Sequence, residues 1–274
     1  MPLRNTDSSV SGPGRDPRIL AIANQKGGVG KTTTAINLGT ALAAVGEQVL
    51  IIDLDPQGNA STGLGVPPSQ RTGTTYDVLQ EEVALTDIEH PTAVPRLMVA
   101  PAGVELAGAE IELLEEPNRH YKLRDAIDAY KRARPDLTYV MIDCPPSLGL
   151  LTVNAMAAAD AMIVPLQCEF FALEGLGQIM RTITTVKERI NEKLELQGVI
   201  LTMYDKRNNL SREVEANVRE HLGEKVYKTA IPRNVRISEA PSHGKPALLY
   251  DLKCVGSQAY VRLASEVIQR ERAR

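Results

Sequence analysis

Three glycines and two lysines lie close together near the start of the sequence. Residues 25–33 read Gln-Lys-Gly-Gly-Val-Gly-Lys-Thr-Thr, so Gln25 stands where the strict nucleotide-loop pattern has its first glycine. The glycines still allow successive backbone N–H groups to converge on phosphate oxygens at the start of a helix. In such a loop Lys31 would reach the β and γ phosphates of ATP, and the Thr32 hydroxyl would bind Mg²⁺. The predicted nucleotide-binding residues here are Lys26, Gly27, Gly28, Val29, Gly30, Lys31, Thr32 and Thr33.

The alternative for this segment is a glycine turn before an ordinary helix. We disfavour it because the loop follows an apolar run at 19–23 and opens a helical pattern that ends at Gly46. A phosphate-binding loop requires this order of strand, loop and helix. The context therefore supports a nucleotide site.

Carboxylates follow two further apolar runs. Asp53 and Asp55 come after the run at 49–52, and Asp143 comes after the run at 139–142. Ligands of open parallel sheets bind at the carboxyl ends of the strands, where these side chains would lie. Two carboxylates beside a triphosphate are suited to polarising an attacking water and to interacting with a metal ion. Two roles remain open for Asp53: it could support the glycine loop, or it could be an ordinary turn residue.

The elements that must position these residues alternate between short apolar strands and amphipathic helices. Two more apolar runs lie at 161–164 and 198–203. Helical patterns lie around residues 123–132, 148–157, 173–190, 211–222 and 258–270. This alternation predicts an α/β fold with a doubly wound, mostly parallel β-sheet flanked by helices. We expect a single domain over residues 18–274, preceded by a disordered tail at 1–17 that has almost nothing apolar to bury.

Composition restricts the class of protein. The chain has 274 residues, of which 43% are hydrophobic, and a formal net charge of -3. No apolar run approaches the length of a membrane helix, and the first residues lack the pattern of a signal peptide. Three widely spaced cysteines offer neither a disulfide framework nor a zinc site. We therefore expect a cytoplasmic protein.

Lys26, a second lysine inside the glycine loop, resembles the signature of the deviant Walker A P-loop ATPases. That family includes the septum-site regulator MinD, the nitrogenase iron protein and the ParA partition proteins. The resemblance implies a P-loop NTPase that hydrolyses ATP with Mg²⁺ and forms an ATP-dependent homodimer. It implies that Lys26 reaches the nucleotide of the other subunit, that Asp55 activates water, and that Asp143 holds Mg²⁺ through a water. Lys26, Lys31 and Asp55 are thus the expected catalytic residues.

Three later segments are similar to the chromosomal ParA branch, also called Soj. They are residues 167–176, 201–205 and 231–242. The resemblance implies that Pro232 and Asn234 contact the adenine ring, with Met203 nearby. It also implies an ATP-dependent switch for chromosome or plasmid partitioning, whose dimer binds double-stranded DNA without sequence preference. The partner ParB would stimulate hydrolysis and release the DNA, so we expect a nucleoid-associated protein.

The uneven distribution of charge fits DNA binding. Residues 181–274 contain 18 basic and 12 acidic residues, whereas residues 1–180 contain 13 basic and 22 acidic ones. The C-terminal third is therefore basic despite the acidic average, which permits contact with phosphates. By resemblance the candidate DNA-binding residues are Arg207 and Arg236, followed by Lys206, Arg233 and Lys245. For the last three, an ordinary solvated surface charge stays an open alternative.

Two rival functions remain. A MinD-like membrane switch needs a terminal amphipathic helix that is free to enter a membrane surface. In residues 258–274, however, the apolar side chains form a face that we expect to dock on the core. A reductase like the nitrogenase iron protein needs paired cysteines for an iron–sulfur cluster, and Cys144 and Cys168 lack that context. We therefore expect no membrane partner and favour partitioning.

Overall fold

The structure, a computed structural model, describes residues 16–272. Within these residues the backbone forms one sheet of seven strands. The strands are β1 Arg18–Ile22, β2 Val49–Asp53, β3 His90–Pro91, β4 Leu97–Ala100, β5 Tyr139–Asp143, β6 Ala161–Gln167 and β7 Glu195–Thr202. Every residue of β2 and β5 is buried, and all but the last residues, Asp53 and Asp143, are apolar, as expected in a sheet that is covered on both faces.

The strand order across the sheet is β3-β4-β2-β5-β1-β6-β7. The pairs of neighbours from β4 to β7 are all parallel, and only the short edge strand β3 runs antiparallel to its neighbour in the described residues. Because the strands run in the same direction, their carboxyl ends meet at one edge of the sheet. The chain order reverses between β1 and its neighbours, which is where an open α/β sheet forms a ligand crevice.

Helices connect the strands and cover both faces. Their bounds are α1 Lys31–Ala44, α2 Asn59–Gly63, α3 Thr75–Leu79, α4 Leu85–Ile88, α5 Leu106–Glu112, α6 Lys122–Ala133, α7 Leu150–Ala158, α8 Ala172–Arg189, α9 Asn209–Leu222, α10 Val235–Glu239, α11 Ala247–Tyr250 and α12 Val255–Arg272. Short 3-10 helices lie at Pro68–Gln70, Leu113–Glu115, Gly223–Lys225 and Ala240–His243.

The core has one apolar layer on each face of the sheet. On one face, α1 and α12 pack together and contribute side chains such as Leu38 and Leu263. On the other face, α6, α7 and α8 contribute Ile127, Leu151 and Ile179. The apolar face of α12 is thus buried in the core, as the sequence predicts for residues 258–270.

The predicted fold class is confirmed: the sheet is mostly parallel and helices flank it on both sides. The five predicted strands and the predicted helices are present with ends shifted by up to three residues. No element is predicted between residues 59 and 121, yet β3, β4 and α2 to α5 occur there. The predicted tail at 1–17 falls, except for its last two residues, outside the described part of the chain.

Candidate functional site

The glycine loop joins the end of β1 to the start of α1. Gly28 and Gly30 have φ angles of 73° and 88°, a left-handed conformation that favours glycine. The buried Asn24 holds the loop at its start, because its side-chain oxygen accepts a hydrogen bond from the Lys26 amide at 3.0 Å. Gly30 is the N-cap residue of α1 and offers no side-chain cap. The first backbone N–H groups of α1 are therefore available to an anion.

Val29 anchors the middle of the loop to the sheet. Its side chain is buried, and its carbonyl oxygen accepts a hydrogen bond from the Thr202 hydroxyl at 2.8 Å. Thr202 is the last residue of β7. The loop is thus tied to the carboxyl ends of two strands, β1 through the chain and β7 through this contact.

A cavity of about 550 Å³ opens beside the loop. Its walls include ten of the residues that the sequence predicts to bind nucleotide: Gly27, Gly28, Gly30, Lys31, Thr32, Thr33, Asp55, Met203, Pro232 and Asn234. Further lining residues that sequence reasoning did not assign to the site are Gln57, Asn59, Pro146, Thr202, Ile231, Ile237, Ser238 and Tyr260. The structure therefore brings the glycine loop, the Asp55 turn and the 231–238 segment to one cavity.

Lys31 is the first residue of α1 and is buried, with a relative exposure of 6%. Its ammonium group donates to the Lys26 carbonyl oxygen at 3.1 Å. Burial lowers the pKa of Lys31, and the charges of Asp143 and Asp55 oppose that shift. A poorly solvated ammonium group at the start of a helix is suited to binding phosphate oxygens.

Asp53 and Asp143 lie side by side at the ends of β2 and β5, where they are paired in the sheet register. Asp53 is fully buried and accepts hydrogen bonds from the Ser61 amide at 2.9 Å, the Ser61 hydroxyl at 2.7 Å and the Asp55 amide at 3.1 Å. Burial raises the pKa of Asp53 to about 6, although these donors oppose the rise. Asp53 thus connects the end of β2 to the Asp55 turn and to α2.

Asp143 has a different environment. It is fully buried, and neither carboxylate oxygen has a hydrogen-bond partner within residues 16–272. Burial, and then the charge of Asp53, raise the pKa of Asp143 well above its ordinary value, while the Thr32 side chain and Lys31 act in the opposite direction. An unpaired buried carboxylate is costly unless a cation compensates it. Together with the Thr32 hydroxyl, it offers the oxygen ligands that Mg²⁺ prefers.

Asp55 lies in the turn after β2 and lines the cavity. One carboxylate oxygen accepts a hydrogen bond from the Gln57 amide at 3.0 Å, and its carbonyl oxygen accepts one from the Gly58 amide at 2.8 Å. These two bonds fix the turn around Asp55. The carboxylate is therefore held at the cavity wall near the start of α1.

Lys26 lies outside the cavity. Its side chain is 45% exposed and forms an ion pair with Glu169, just before α8. Two exposed aromatic side chains, Phe170 and Phe171, follow that glutamate with ring centroids 5.1 Å apart. Lys26 therefore faces outward, whereas Lys31 faces the cavity of its own chain.

The 231–234 segment forms the far wall of the cavity. It pairs with the end of β7, since the Tyr204 amide donates to the Ile231 carbonyl at 2.9 Å. Asn234 caps α10 by accepting a hydrogen bond from the Arg236 amide. Met203 has a φ of 48°, which is uncommon for a residue with a side chain, and it lies on the same wall. Pro232, Asn234 and Met203 are thus neighbours.

The candidate DNA-binding residues lie on loops and a short helix at this end of the molecule. Arg207 follows β7, has a side chain that is 91% exposed, and pairs with Asp205 at 3.1 Å. Arg236, on α10, pairs with Glu239 at 3.0 Å and with Asp251 at 3.7 Å. Lys206 and Lys245 are exposed. Arg233 is exposed as well, but it also lines the nucleotide-sized cavity beside Pro232.

Residues 16–272 contain no group of three His, Cys, Asp or Glu side chains arranged to hold a metal ion by themselves. In the same part of the chain, no helix has the length and apolarity to cross a membrane.

Ser61 supports the site although no sequence motif marks it. Its hydroxyl donates to Asp53 and accepts the Ala102 amide at 3.1 Å, so it joins α2 to the loop after β4.

Ser61→Ala should lower the free energy of unfolding by about 2–3 kcal/mol, because it removes a hydrogen bond to a buried carboxyl group and leaves the Ala102 amide without this acceptor. Urea unfolding without nucleotide checks this. The exposed Ser265→Ala is the matched control, and equal stability of the two variants would contradict the prediction.

Comparison with known proteins gives consistent matches over most of the chain. A family profile described as an AAA domain matches residues 17–196. The chromosome partitioning protein ParA of Caulobacter vibrioides is 66% identical over 257 residues, which are 94% of this chain and 96% of that protein. The sporulation initiation inhibitor protein Soj of Bacillus subtilis is 50% identical, over 91% of this chain and 98% of that protein. A crystal structure named cobyrinic acid a,c-diamide synthase from Mycobacterium smegmatis, with bound ATP analogue and magnesium, has a TM-score of 0.82 and 38% identity, covering 94% and 96% of the two chains.

Proposed function

Because the chain belongs to the ParA/Soj family of chromosome-partitioning ATPases, we propose that it is an ATP-dependent molecular switch for the partitioning of a chromosome or plasmid. In this proposal two subunits enclose ATP, the ATP-bound dimer binds double-stranded DNA without sequence preference, and ATP hydrolysis stimulated by ParB releases the DNA. The observation that carries the proposal is that the glycine loop, Asp55 and the 231–234 segment line the same cavity.

ATP binding is supported by the match between the cavity and the parts of a nucleotide. The uncapped start of α1 and the Lys31 ammonium group suit the β and γ phosphates. At the far wall, Met203, Pro232 and Asn234 offer apolar and amide surfaces that suit an adenine ring. A similar protein was crystallised with an ATP analogue and magnesium, which agrees with this assignment.

Mg²⁺ binding is supported by the unpaired buried carboxylate of Asp143 and by the Thr32 hydroxyl. The ion would neutralise developing charge on the phosphates when bound. The Thr32 hydroxyl would bind it directly, and Asp143 would hold it through a water. The phosphates would supply the remaining ligands, which agrees with the lack of a protein-only metal cluster in residues 16–272.

Hydrolysis is assigned to Asp55. Its carboxylate accepts a proton from the attacking water as the water oxygen bonds to the γ phosphorus. The bond between that phosphorus and the β–γ bridging oxygen breaks, which gives ADP and phosphate. Lys31 stabilises the negative charge on the phosphate oxygens during this step. The backbone hydrogen bonds that fix the Asp55 turn support this role, because a general base must be held within reach of its proton.

Dimerisation is assigned to the outward face around Lys26. Its exposed ammonium group is free to leave Glu169 for the phosphate of an ATP molecule bound to a second subunit, since exposed ion pairs contribute little stability. The exposed rings of Phe170 and Phe171 next to Glu169 offer apolar area for a subunit contact. ATP would then be required for a stable dimer.

DNA binding is assigned to Arg207 and Arg236, with Lys206, Arg233 and Lys245 as further candidates. Phosphate contacts from such exposed side chains carry no sequence information. Two features disfavour the rival functions. The apolar face of α12 is buried in the core, so it is not available to a membrane. Cys144 and Cys168 are both buried and have raised pKa values, unlike cysteines that hold an iron–sulfur cluster at an open subunit interface. The DNA-bound state would associate the protein with the nucleoid.

The test is binding to non-specific double-stranded DNA with ATP, ADP or no nucleotide, measured across a salt series. We expect binding only with ATP, falling steeply between about 50 and 200 mM salt as counterions return to the DNA. Arg207→Glu should abolish DNA retention at moderate salt and leave ATP-dependent dimerisation unchanged.

The matched control for this experiment is Arg124→Glu. Arg124 lies on α6, has a side chain that is 43% exposed, and also pairs with a neighbouring aspartate. Equal DNA binding with ADP and ATP would contradict the switch. Unchanged DNA retention by Arg207→Glu would remove Arg207 from the DNA site, and a similar loss in Arg124→Glu would show that the effect is only one of net charge.

A further inference from the structure

Arg71 lies in no recognised motif, yet its guanidinium group connects four segments of the chain near the Asp55 turn. Nε donates to the Val66 carbonyl at 3.1 Å, and Nη1 donates to the Ala102 carbonyl at 2.8 Å. Nη2 donates to the Gly58 carbonyl at 3.1 Å, the Val66 carbonyl at 3.0 Å and the Thr62 hydroxyl at 2.7 Å. The side chain therefore joins the end of the Asp55 turn, α2, the segment after α2 and the loop after β4.

The contact with Gly58 is the closest of these to the proposed chemistry. The Gly58 amide donates to the Asp55 carbonyl at 2.8 Å, so Gly58 closes the turn that presents Asp55. Gly58 has a φ of 60°, and a Cβ atom added there would lie 2.2 Å from Nη1 of Arg71. The guanidinium group thus packs directly against this glycine, and a larger residue would displace either the turn or the arginine.

In the described part of the chain, the Arg71 guanidinium group binds neutral oxygens and not a carboxylate. No salt bridge to Arg71 is present within residues 16–272, and its acceptors are neutral carbonyl and hydroxyl oxygens. The nearby charge is that of the buried Asp53, which accepts hydrogen bonds from the amides of Asp55 and Ser61. The planar group can bind several oxygens in fixed directions at once, which a lysine cannot do. Arg71 and Asp53 therefore both hold residues 55–62, since Asp53 accepts from amides of this segment and Arg71 donates to a carbonyl and a hydroxyl oxygen of it.

We propose that Arg71 is a positioning residue for ATP hydrolysis, which fixes the Asp55 turn against α2 and the loop after β4 so that the Asp55 carboxylate stays aligned with the attacking water. This inference rests on the proposed function, because it assumes that Asp55 is the base. Arg71 itself does not line the nucleotide cavity, so its loss acts on the rate of the chemical step and not on ATP affinity. A small displacement of a catalytic group is enough to cause a large loss of rate.

The experiment compares wild type, Arg71→Ala and Arg71→Lys by steady-state phosphate release and by ATP affinity, with thermal melting of each protein. We expect kcat to fall by about 10- to 100-fold in Arg71→Ala, with the ATP Kd changed less than about threefold. Arg71→Lys should melt near wild type and still show a lowered kcat, because one ammonium group cannot span the carbonyls of Gly58 and Ala102. Arg96→Ala is the matched control, since Arg96 also donates to a backbone carbonyl but at the distant Gly46.

Chemical rescue provides a readout that a merely structural role would not change. A cavity of about 390 Å³ lies against Arg71, with Pro56 and Gln57 on its wall, so a free guanidinium ion can reach the space left by Arg71→Ala. Millimolar guanidinium should restore part of the lost kcat in Arg71→Ala and none in Asp55→Ala, whereas urea at the same concentration should restore neither.

The possible results are distinct. Wild-type kcat in both Arg71 variants would overturn the assignment of Arg71 while the proposed function stands, and so would an equal loss of ATP binding and kcat. If Arg71→Ala does not fold, the kcat of Arg71→Lys decides in the same way. A wild-type protein that binds ATP but releases no phosphate would overturn the hydrolytic function, and this inference with it.

Discussion

Replacing Asp55 with alanine should leave ATP affinity within a few-fold of wild type and lower the rate of ATP hydrolysis by about 100- to 1,000-fold. The reason is that the cavity wall would lose the carboxylate proposed to accept the proton of the attacking water, while Lys31, Thr32 and the loop amides, which are the proposed phosphate-binding groups, stay in place. The variant should therefore accumulate as an ATP-bound dimer on DNA. Phosphate release, equilibrium ATP binding and DNA retention, measured on the same preparation, check these three expectations.

Two further variants make this experiment specific. Asp55→Asn retains an oxygen that can accept the Gln57 amide, so the turn should persist, but an amide cannot take up the proton. It should be as inactive as the alanine variant. Asp125→Ala removes an exposed carboxylate on α6, remote from the cavity, and should hydrolyse ATP normally. Normal hydrolysis by Asp55→Ala would show that another group, or the substrate itself, receives the proton.

Replacing Lys31 with alanine should weaken ATP binding by about 100-fold or more. Each hydrogen bond to a charged phosphate oxygen contributes up to ~3 kcal/mol, and a factor of ten in affinity corresponds to ~1.4 kcal/mol. Lys31 is buried, so water cannot readily take its place. Titration with a fluorescent ATP analogue measures the loss, and ATP-dependent dimerisation and DNA binding should disappear with it.

The folded state should survive this change. Burial already disfavours the charged form of Lys31, and its hydrogen bond goes to a single backbone carbonyl. The thermal melting temperature without nucleotide should therefore stay near that of wild type. Lys187→Ala, which removes an exposed lysine near the end of α8, is the control for charge. Wild-type ATP affinity in Lys31→Ala would contradict the assignment of the glycine loop as the phosphate site.

The parts of the site that sequence could predict are those whose residue types are dictated by local geometry. Gly28 and Gly30 are required by positive φ angles in the loop, and Asp53, Asp55 and Asp143 follow directly from apolar strands whose ends meet at one edge. These local patterns also support the α/β fold class, which is confirmed. The roles assigned to the individual residues stay predictions.

Other parts depend on contacts between segments that are far apart in sequence. The short helices α3, α4 and α5 have four to seven residues, too few for a periodic apolar pattern to be distinguished from a loop. The strand β4 does have an apolar run, at 97–100, as long as those at 49–52 and 139–142, but no strand is predicted there from the sequence. Arg71 and Ser61 acquire their contacts only when α2 and the loop after β4 meet, so neither has a local signal.

Lys26 and Arg233 illustrate a third limit. Sequence resemblance suggested a role for each, but not the intramolecular partner or the wall on which the side chain lies. The ion pair of Lys26 with Glu169 joins residues 143 positions apart. Arg233 lines the cavity because its segment pairs with Tyr204 beyond the end of β7. The Lys26 ion pair and the position of Arg233 both depend on which strands are neighbours in the sheet. The residues around each of these side chains in the sequence do not specify that order.

The end of β7 has a consequence for energetics. Within six residues the backbone passes from Thr202, which holds the glycine loop, through Met203 at the cavity wall, to Arg207 at an exposed tip. Because only four residues separate Thr202 from Arg207, we expect a nucleotide that moves the loop to move the tip as well. Such coupling is reciprocal in free energy: if ATP strengthens the attachment of DNA at the tip by some factor, DNA must strengthen the hold on ATP by that same factor. DNA bound at Arg207 would then raise the affinity of the cavity for ATP, in addition to being bound more tightly when ATP is present.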